Sequence, residues 1–313
     1  MGTGNCMEGL VKYIVNRIPS LQRVITERLH LRAELERYKT WVPPGHYYSP
    51  IPSLDEVKSK EAEIFDMSKR KLLGIELNED EQLALLDKFA KYYAEQPFRE
   101  EKRAALRYFL DNPSYAYSDG IIFYCMIRHA EPRRIIEVGS GYSSCVMLDT
   151  NELFFENRIS CTFIDPFPQQ LEQMLQPGDR ERIEIIPKKL QDIDINLFSS
   201  LSGGDILFID STHVSKVGSD VNRIFFEILP RLQSGVYVHL HDIIYPFEYL
   251  KHFVYMGIAW NEAYILRAFL QYNHAFKIVF FNTYLEQFYE ERFRNEMPLC
   301  LINRGGSIWL KKT

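Results

Sequence analysis

Cysteine is scarce in this sequence and follows no metal-binding or disulfide spacing. The 313 residues contain five cysteines, an odd number without a Cys-x-x-Cys pair. Zinc sites and disulfide frameworks both use cysteines at paired spacings. We therefore expect neither of them, and reduced thiols of this kind are typical of a protein of the cytoplasm.

Long apolar runs and an excess of positive charge are also missing. No run approaches the ~18 apolar residues of a membrane span, and the first residues lack the basic start and apolar core of a signal peptide. The net charge is −5, whereas nucleic-acid binders usually carry a basic face. These absences predict a cytoplasmic protein with neither a membrane span nor a nucleic-acid partner.

Residues 1–110 are predicted to form a helical N-terminal extension or cap without chemistry of its own. Residues 8–40 have apolar side chains at helical spacing, namely Ile14, Ile18, Leu21 and Ile25. Such a helix suits a homo-oligomer interface, a membrane surface, or packing on its own domain. The Pro- and aromatic-rich stretch 41–53 is predicted to be irregular, either as a linker or as an arm over a pocket. Further helical patterns follow at 55–68, 79–94 and 99–112.

The pattern changes near residue 111, where the predicted catalytic domain, 111–313, begins. Short β-rich runs alternate with helix-length segments, in the order RIIEV, CTFID, RIEIIP, DILFID and VYVHLH. Such alternation is typical of βαβ units, and it predicts an α/β fold with a parallel sheet covered by helices on both faces. After a helical stretch at 261–272, the runs FKIVFFNTYL and GGSIWLKK are predicted to be two closing strands.

A glycine-containing turn follows the first of these strands, in the segment Ile135–Ser144. Gly139 and Gly141 permit a tight turn and the close approach of a ligand, and Ser143 and Ser144 can cap the next helix. Nicotinamide and flavin domains use a similar turn, so the pattern alone does not choose among ligands.

Three details of the sequence indicate which ligand the turn binds. Ser144 stands where the dinucleotide fingerprint has its third glycine, which serves close helix–strand packing. Glu137 lies two residues before the first glycine, where a cationic or amino-bearing ligand can use it. Asp165 closes the second strand, 24 residues after Gly141, and suits a ribose diol. Together they favour a methyl donor over a dinucleotide.

With these residues the sequence resembles the class I S-adenosylmethionine-dependent methyltransferases. Their first motif, E-x-G-x-G-x-x-S/T, is matched by Glu137, Gly139, Gly141 and Ser144, and the resemblance extends from Tyr117 to Leu310. It implies a Rossmann-like, seven-stranded sheet with an antiparallel last strand. The small-molecule O-methyltransferase branch is most similar, because IDSTH at 209–213 and the pair His241-Asp242 match its strand ends. Ser211 replaces the glycine of that branch.

The resemblance also implies a set of residues that bind S-adenosylmethionine. Glu137 and the turn would hold the methionine end of the cofactor, and Asp165 would accept the ribose hydroxyls. Gln191 and Asp192 would contact adenine, while Tyr117 and Ser118 would close over the methionine part. The turn contributes Gly139, Ser140, Gly141, Ser143 and Ser144.

Four titratable residues are the catalytic candidates: Asp210, His213, His241 and Asp242. Each lies at or after the carboxyl end of a predicted strand, where open α/β sheets build their sites. Methyl transfer to a hydroxyl needs that hydroxyl deprotonated or polarised, and imidazole is suited to this role near neutral pH. His213 is the first candidate base and His241 the second.

A divalent metal ion is an alternative for the same residues. The resemblance implies Asp210, His241 and Asp242 as its ligands, with the ion lowering the pKa of the acceptor hydroxyl. A histidine among them favours a transition metal over Mg²⁺, which prefers oxygen. The aromatic and acidic stretches 245–249 and 260–262, with His252 between them, predict either a wall of the acceptor pocket or a lid helix that packs by its aromatic residues.

The sequence thus predicts an S-adenosylmethionine-dependent O-methyltransferase that acts on a hydroxyl of a small molecule, such as a sugar or a natural product. Two alternatives remain at this point. One is an NAD-dependent oxidoreductase, and the other is a non-catalytic module that keeps the fold and binds without turnover.

Overall fold

The computed structural model describes residues 18–37 and 40–313, and the chain divides into two compact units, Met1–Ser59 and Lys60–Thr313. The first unit contains helices α1 (Pro19–Arg37) and α2 (Leu54–Ser59). Of the predicted helix 8–40, residues 8–17, 38 and 39 lie outside the described residues. The stretch 41–53 is irregular, as predicted, and the rings of Trp41 and Tyr48 stack 5.2 Å apart within it.

The second unit is built on a seven-stranded sheet whose order is β3-β2-β1-β4-β5-β7-β6. Strands β1 to β5 are parallel, and β7 runs antiparallel to both of its neighbours. This order confirms the predicted Rossmann-like sheet with an antiparallel last strand. The strands are β1 (Arg134–Val138), β2 (Ser160–Ile164), β3 (Ile183–Ile186), β4 (Ile206–Ile209), β5 (Tyr237–His241), β6 (Phe276–Phe281) and β7 (Ser307–Lys312).

Helices cover the sheet, and its central strands are buried on both faces. All four residues of β4 and all five of β5 are buried. The helices are α3 (Glu61–Ile64), α4 (Glu79–Tyr93), α5 (Ser118–Ala130), α6 (Tyr142–Phe155), α7 (Gln169–Met174), α8 (Asp220–Arg223), α9 (Lys251–Tyr255), α10 (Glu262–Leu270), α11 (Asn282–Phe288) and α12 (Glu290–Glu296). Shorter helical turns span Leu190–Asp192, Ile195–Ser200, Ile224–Ile228, Leu229–Arg231 and Pro298–Leu301.

The predicted helix at 99–112 is wrong, and a buried arginine is the reason. The backbone N–H groups of Arg107 and Tyr108 donate to the carboxylate of Asp149 in α6, at 2.8 to 3.1 Å, instead of to helical carbonyls. The Arg107 guanidinium also pairs with Asp149 at 2.8 Å and with Asp179 at 2.6 Å. This network of buried charges holds the segment in an irregular course before α5.

The segment after Lys60 already belongs to the unit that contains the sheet. Helix α4 packs on β6, where the rings of Phe89 and Phe280 lie 5.1 Å apart. The domain boundary predicted at residue 110 stays a prediction. The strand predicted over 276–285 ends earlier, at Phe281, because Asn282 begins α11. Among the described residues, no helix combines the length and the apolar character that crossing a bilayer requires.

Candidate active site

The turn between β1 and α6 is held tightly against the end of β4. Gly139 has φ +82°, and a Cβ at this position would lie 2.4 Å from the carbonyl oxygen of Asp210. Only glycine fits such a left-handed and crowded position. Ser140 donates from its N–H and its hydroxyl to Asp165 Oδ2, at 3.0 and 2.7 Å. The turn therefore connects the ends of β1, β2 and β4.

Glu137 lies inside the protein beneath this turn, fully buried. Its two carboxylate oxygens accept hydrogen bonds from the hydroxyls of Ser143 and Ser144 in α6. Burial raises the pKa of Glu137 to about 8, although the two hydroxyl donors oppose the rise. These three predicted cofactor residues thus contact one another, and they join β1 to the first turn of α6.

A cleft of about 500 Å³ opens beside the turn, at the carboxyl ends of β1, β2 and β4. Four predicted residues line it, namely Gly139, Asp165, Gln191 and Asp210. The ring of Phe167, which the sequence reasoning missed, also lines the cleft and is 73% exposed. Its position, two residues after the acid that closes the second strand, is the signal that could have identified it. Asp192, next to Gln191, is exposed.

Tyr117 and Ser118 are buried where α5 begins. The Ser118 hydroxyl donates to the carboxylate of Glu286, a residue of α11. Burial raises the pKa of Glu286 to about 8, against the opposing effect of the Ser118 hydrogen bond. Ser118 is therefore engaged with a buried carboxyl group in the structure, and its predicted contact with the cofactor stays a prediction.

His213 lies at the centre of three carboxylates. Its Nε2 is 3.2 Å from Asp210 Oδ1 and 3.5 Å from Asp242 Oδ2, and its Nδ1 is 2.9 Å from Glu262 Oε2. Asp210 follows β4, Asp242 follows β5, and Glu262 begins α10. The structure thus brings together three of the four predicted catalytic residues and adds Glu262, which the sequence reasoning assigned only to the pocket wall.

The carboxylates determine the charge of the imidazole. Burial lowers the pKa of His213, but the hydrogen bonds and negative charges of Asp210 and Glu262 outweigh it and raise the pKa to about 10. Burial conversely raises the pKa of Asp210, and the hydrogen bond from His213 with the charges of His241 and His213 brings it below its usual value. Near neutral pH the cluster therefore holds an imidazolium among carboxylates.

Two members of the cluster have unusual backbone conformations. His213 has φ +59° and Asp242 has φ +54°, in the left-handed region that side chains other than glycine rarely adopt. The carbonyl of His213 also accepts from the N–H groups of Asn261 and Glu262, at 3.0 and 3.1 Å. Backbone strain of this kind concentrates at functional sites, where the surrounding structure maintains it.

The two histidines of β5, His239 and His241, are both buried. His241 Nε2 lies 3.9 Å from Asp242 Oδ1; burial lowers its pKa, but the charges of Asp210, Asp242 and Asp119 raise it overall. His239 stacks on Phe208 at 4.0 Å, and neither of its ring nitrogens has a hydrogen-bond partner among the described residues. Burial accordingly keeps the pKa of His239 well below its usual value.

The set of residues suited to a metal ion differs from the predicted one. Ligand atoms of Asp210, His213 and Asp242 lie within 4.8 Å of one another. His213 thus takes the place that the prediction gave to His241, because the left-handed backbone at residue 213 turns its ring between the two aspartates. Glu262 accepts from the other ring nitrogen, an arrangement that orients histidine ligands in metal sites.

Some aromatic residues of the predicted wall lie in the hydrophobic core, and one lies beside the His213 cluster. Tyr245 and Phe247 are fully buried and pack with Phe281 of β6. Trp260 is half-buried, and its ring lies 4.4 Å from that of His213. From the stretch 245–262, Trp260 is therefore the aromatic residue that borders the charged cluster directly.

Comparisons with known proteins identify the domain that contains the glycine turn. A family model described as a methyltransferase domain matches residues 136–243. An uncharacterised protein of Archaeoglobus fulgidus is 35% identical over 167 residues, which are 51% of this chain and 73% of that protein.

Similarity to solved structures is weaker. The S-adenosylhomocysteine-bound methyltransferase PaMTH1 of Podospora anserina is 11% identical, with a TM-score of 0.41 over 88% of this chain and 99% of that one. The O-methyltransferase TomG of Streptomyces achromogenes, in complex with S-adenosylmethionine, is 15% identical, with a TM-score of 0.44 over 82% and 96% of the two chains.

The strand order, the glycine turn and the matched domain define a methyltransferase with a Rossmann-like sheet. The chain belongs to the class I S-adenosylmethionine-dependent methyltransferases.

Proposed function

We propose that the protein transfers a methyl group from S-adenosylmethionine to a hydroxyl oxygen of a small molecule, such as a sugar or a natural product. The observation that carries the proposal is the position of the His213 cluster. Asp210 belongs both to the cluster and to the lining of the 500 Å³ cleft, so a donor in the cleft and an acceptor at His213 would be neighbours.

We also propose a cytoplasmic location, which cell fractionation can check.

The residues of the cleft fit the cofactor. Its volume lies within the usual range of small-molecule sites, roughly 300–1,000 Å³, and the exposed ring of Phe167 offers a surface on which an adenine can stack. The cleft is also lined by two carboxylates. That of Asp165 suits ribose hydroxyls, and that of Asp210 suits a cationic sulfur. When bound, the cofactor supplies an electrophilic methyl group. Gln191 and Gly139 complete the surface of the cleft that would hold the cofactor.

A nicotinamide dinucleotide fits the turn less well. Dinucleotide domains bind pyrophosphate with backbone N–H groups of the glycine turn and the helix that follows. Here the N–H of Ser140 donates to Asp165 and that of Gly141 donates to Ser144 Oγ, each at 3.0 Å. With two donors of the turn already used, fewer N–H groups remain to bind a pyrophosphate, which disfavours the oxidoreductase alternative.

We further propose that His213 accepts the proton of the acceptor hydroxyl at Nε2. Its Nδ1 donates to Glu262, which fixes the orientation of the ring, and Asp210 and Asp242 stabilise the imidazolium that results. With a pKa of about 10, the imidazole matches a phenolic hydroxyl, whose pKa is also about 10. Only about a thousandth of the rings is free to accept a proton at pH 7, so the rate should rise with pH.

Calorimetry tests the cofactor. We expect S-adenosylhomocysteine to bind in the micromolar range, NAD to give no heat, and Asp165→Ala to weaken S-adenosylhomocysteine at least about tenfold, since two hydroxyl hydrogen bonds are lost. Binding of NAD but not of S-adenosylhomocysteine would refute the assignment of the cleft.

Methyl transfer is then measured with isotope-labelled donor and a library of phenols, sugars and other hydroxyl compounds. For an acceptor that is found, His213→Gln should lower kcat by about 10² to 10⁴. The control His274→Gln changes an exposed histidine between α10 and β6 and should leave kcat unchanged. If the donor binds but no hydroxyl is methylated, a non-catalytic binding module becomes the better description.

A bound divalent ion is a second candidate, favoured by the closeness of Asp210, His213 and Asp242. These residues would hold it through two carboxylates and one imidazole, and Glu262 would orient the imidazole. Mixed nitrogen and oxygen donors suit Mn²⁺, Fe²⁺ or Zn²⁺ better than Mg²⁺. Such an ion would lower the pKa of an acceptor hydroxyl.

Thermal unfolding with and without Mn²⁺ separates the two candidates without an acceptor. A metal site predicts a higher Tm with Mn²⁺ in the wild-type protein and no change in Asp242→Asn. Equal Tm values in both proteins, together with EDTA-resistant methyl transfer, would exclude the ion from the reaction.

A further inference from the structure

Helix α1 carries large apolar side chains that are exposed. They include Leu21, Val24, Leu31 and Leu35, and the exposed fraction of Leu31 is 52%. An exposed apolar residue taken singly needs no explanation, but a continuous stripe along one helix indicates a partner surface. From Leu21 to Leu35 the stripe extends over about 21 Å at 1.5 Å per residue.

The stripe follows a heptad repeat. Positions 21, 24, 28, 31 and 35 are separated by alternating steps of three and four residues, which are the a and d positions of a coiled coil. Four of them are the leucines and valine named above, and the fifth, an a position, is Arg28. The alternative register that begins at Ile18 would place both Arg28 and Arg32 in the core, so the first register is the better one.

We propose that α1 pairs with α1 of a second copy of this chain as a parallel two-stranded coiled coil. Charge complementarity identifies the partner. In this register Glu27 takes a g position and Arg32 the following e position, the two positions that meet across a parallel pair. A second copy therefore supplies an Arg32 opposite each Glu27, giving two complementary ion pairs per dimer.

The same charges select the parallel orientation. In an antiparallel pair, g positions face g positions, and both Glu27 and Glu34 occupy g positions in this register. Carboxylates would then face carboxylates, which is unfavourable. Arg28 at one a position limits the coiled coil to two strands, because its charged end reaches solvent beside a two-stranded core but not inside a larger bundle.

The charges of α1 do not favour a lipid surface. From Pro19 to Arg37 the helix contains four arginines and three glutamates, whereas helices that bind anionic membranes carry a strongly basic polar face. Alternation of both signs along a helix is instead typical of coiled-coil flanks.

A matched pair of leucine variants tests the register. Leu29 and Leu31 are two residues apart and similarly exposed, at 60% and 52%, but only Leu31 takes a core position. With the full chain, sedimentation equilibrium should show a reversible monomer–dimer equilibrium. Leu31→Glu should weaken dimerisation by roughly 100-fold or more, and Leu29→Glu by less than about threefold. Far-UV circular dichroism confirms that both variants remain folded.

A charge exchange tests the partner and the orientation. Glu27→Lys alone, or Arg32→Glu alone, turns both ion pairs of the homodimer into repulsions and should weaken it roughly tenfold. An equimolar mixture of the two variants restores both attractive pairs, so the heterodimer should form with the wild-type affinity. This recovery requires a parallel g–e contact between two copies.

Three results would overturn the proposal. One is a wild-type chain that stays monomeric up to about 200 μM, and another is a dimer that tolerates Leu31→Glu. The third is binding of α1 to vesicles of phosphatidylcholine and phosphatidylserine that Leu29→Glu and Leu31→Glu weaken equally, which would assign the helix to a membrane surface.

Discussion

Replacing Glu137 with glutamine should change the stability of the protein little at pH 5 and should stabilise it strongly at pH 8. The folded protein holds this carboxyl group with a pKa of about 8, whereas the ordinary value is 4.5. Between these two values the folded state keeps a proton that the unfolded state has released. The contribution of Glu137 to stability is therefore greatest below pH 4.5 and falls as the pH rises toward 8.

The size of the effect follows from the difference between the two pKa values. At about 1.4 kcal/mol for each pH unit, the wild-type protein loses about 5 kcal/mol of unfolding free energy across this range. A neutral glutamine does not titrate, and the hydroxyls of Ser143 and Ser144 can donate to it or accept from it. The less favourable hydrogen bonds of the glutamine should destabilise the folded variant by about 1 kcal/mol.

Urea unfolding at half-unit steps from pH 5 to pH 8.5 measures both proteins. The two proteins should be about equally stable at pH 5, where the unfolded wild type has already released most of its Glu137 protons, and Glu137→Gln should be the more stable by about 3–4 kcal/mol above pH 8. Glu290→Gln is the control, because Arg304 lowers the pKa of Glu290 and keeps it ionised throughout. A difference between wild type and Glu137→Gln that does not vary with pH would show that Glu137 is not a buried, protonated group.

Three further predictions concern the charges and the turn. Glu262→Gln removes one of the two carboxylates that raise the pKa of His213, so the midpoint of its ring titration by NMR should fall by roughly 2 pH units; an unchanged midpoint contradicts the proposed contact between His213 and Glu262. Arg107→Met leaves buried carboxylates without their partner, and chemical unfolding should show a loss of about 3–5 kcal/mol, whereas a loss below 1 kcal/mol would mean that the network is solvated. Gly139→Ala forces a Cβ against a backbone carbonyl at a positive φ, and both stability, by about 2 kcal/mol or more, and S-adenosylhomocysteine affinity should fall; unchanged calorimetry would refute the tight turn.

The sheet was the most predictable part of the molecule. Each of the five parallel strands is a short β-rich run separated from the next by a helix-length segment, and all residues of the central strands β4 and β5 are buried. The pattern is local, so sequence reasoning finds it. The helix expected at 99–112 failed for the opposite reason, since the Asp149 that captures the backbone of Arg107 is 42 residues away along the chain.

The candidate site was predictable in its members but not in its contacts. Asp210, His213 and Asp242 lie near strand ends, and the topology brings strand ends together. That Glu262 would complete the surroundings of His213 depends on the path of the chain between β5 and α10, which no local pattern encodes. In the same way, the sequence gives no sign that Glu137 faces two serine hydroxyls rather than the cleft.

The place of β7 in the sheet has a consequence for the synthesis of the protein. Although β7 is the last of the seven strands along the chain, it enters the sheet between β5 and β6. Until the ribosome has released Ser307–Lys312, β6 has no neighbour at its final position and β5 presents an open hydrogen-bonding edge. Open edges pair readily with other chains. The nascent protein therefore passes through an aggregation-prone stage that ends in one late step, and a chaperone that covers the edge of β5 would protect it until then.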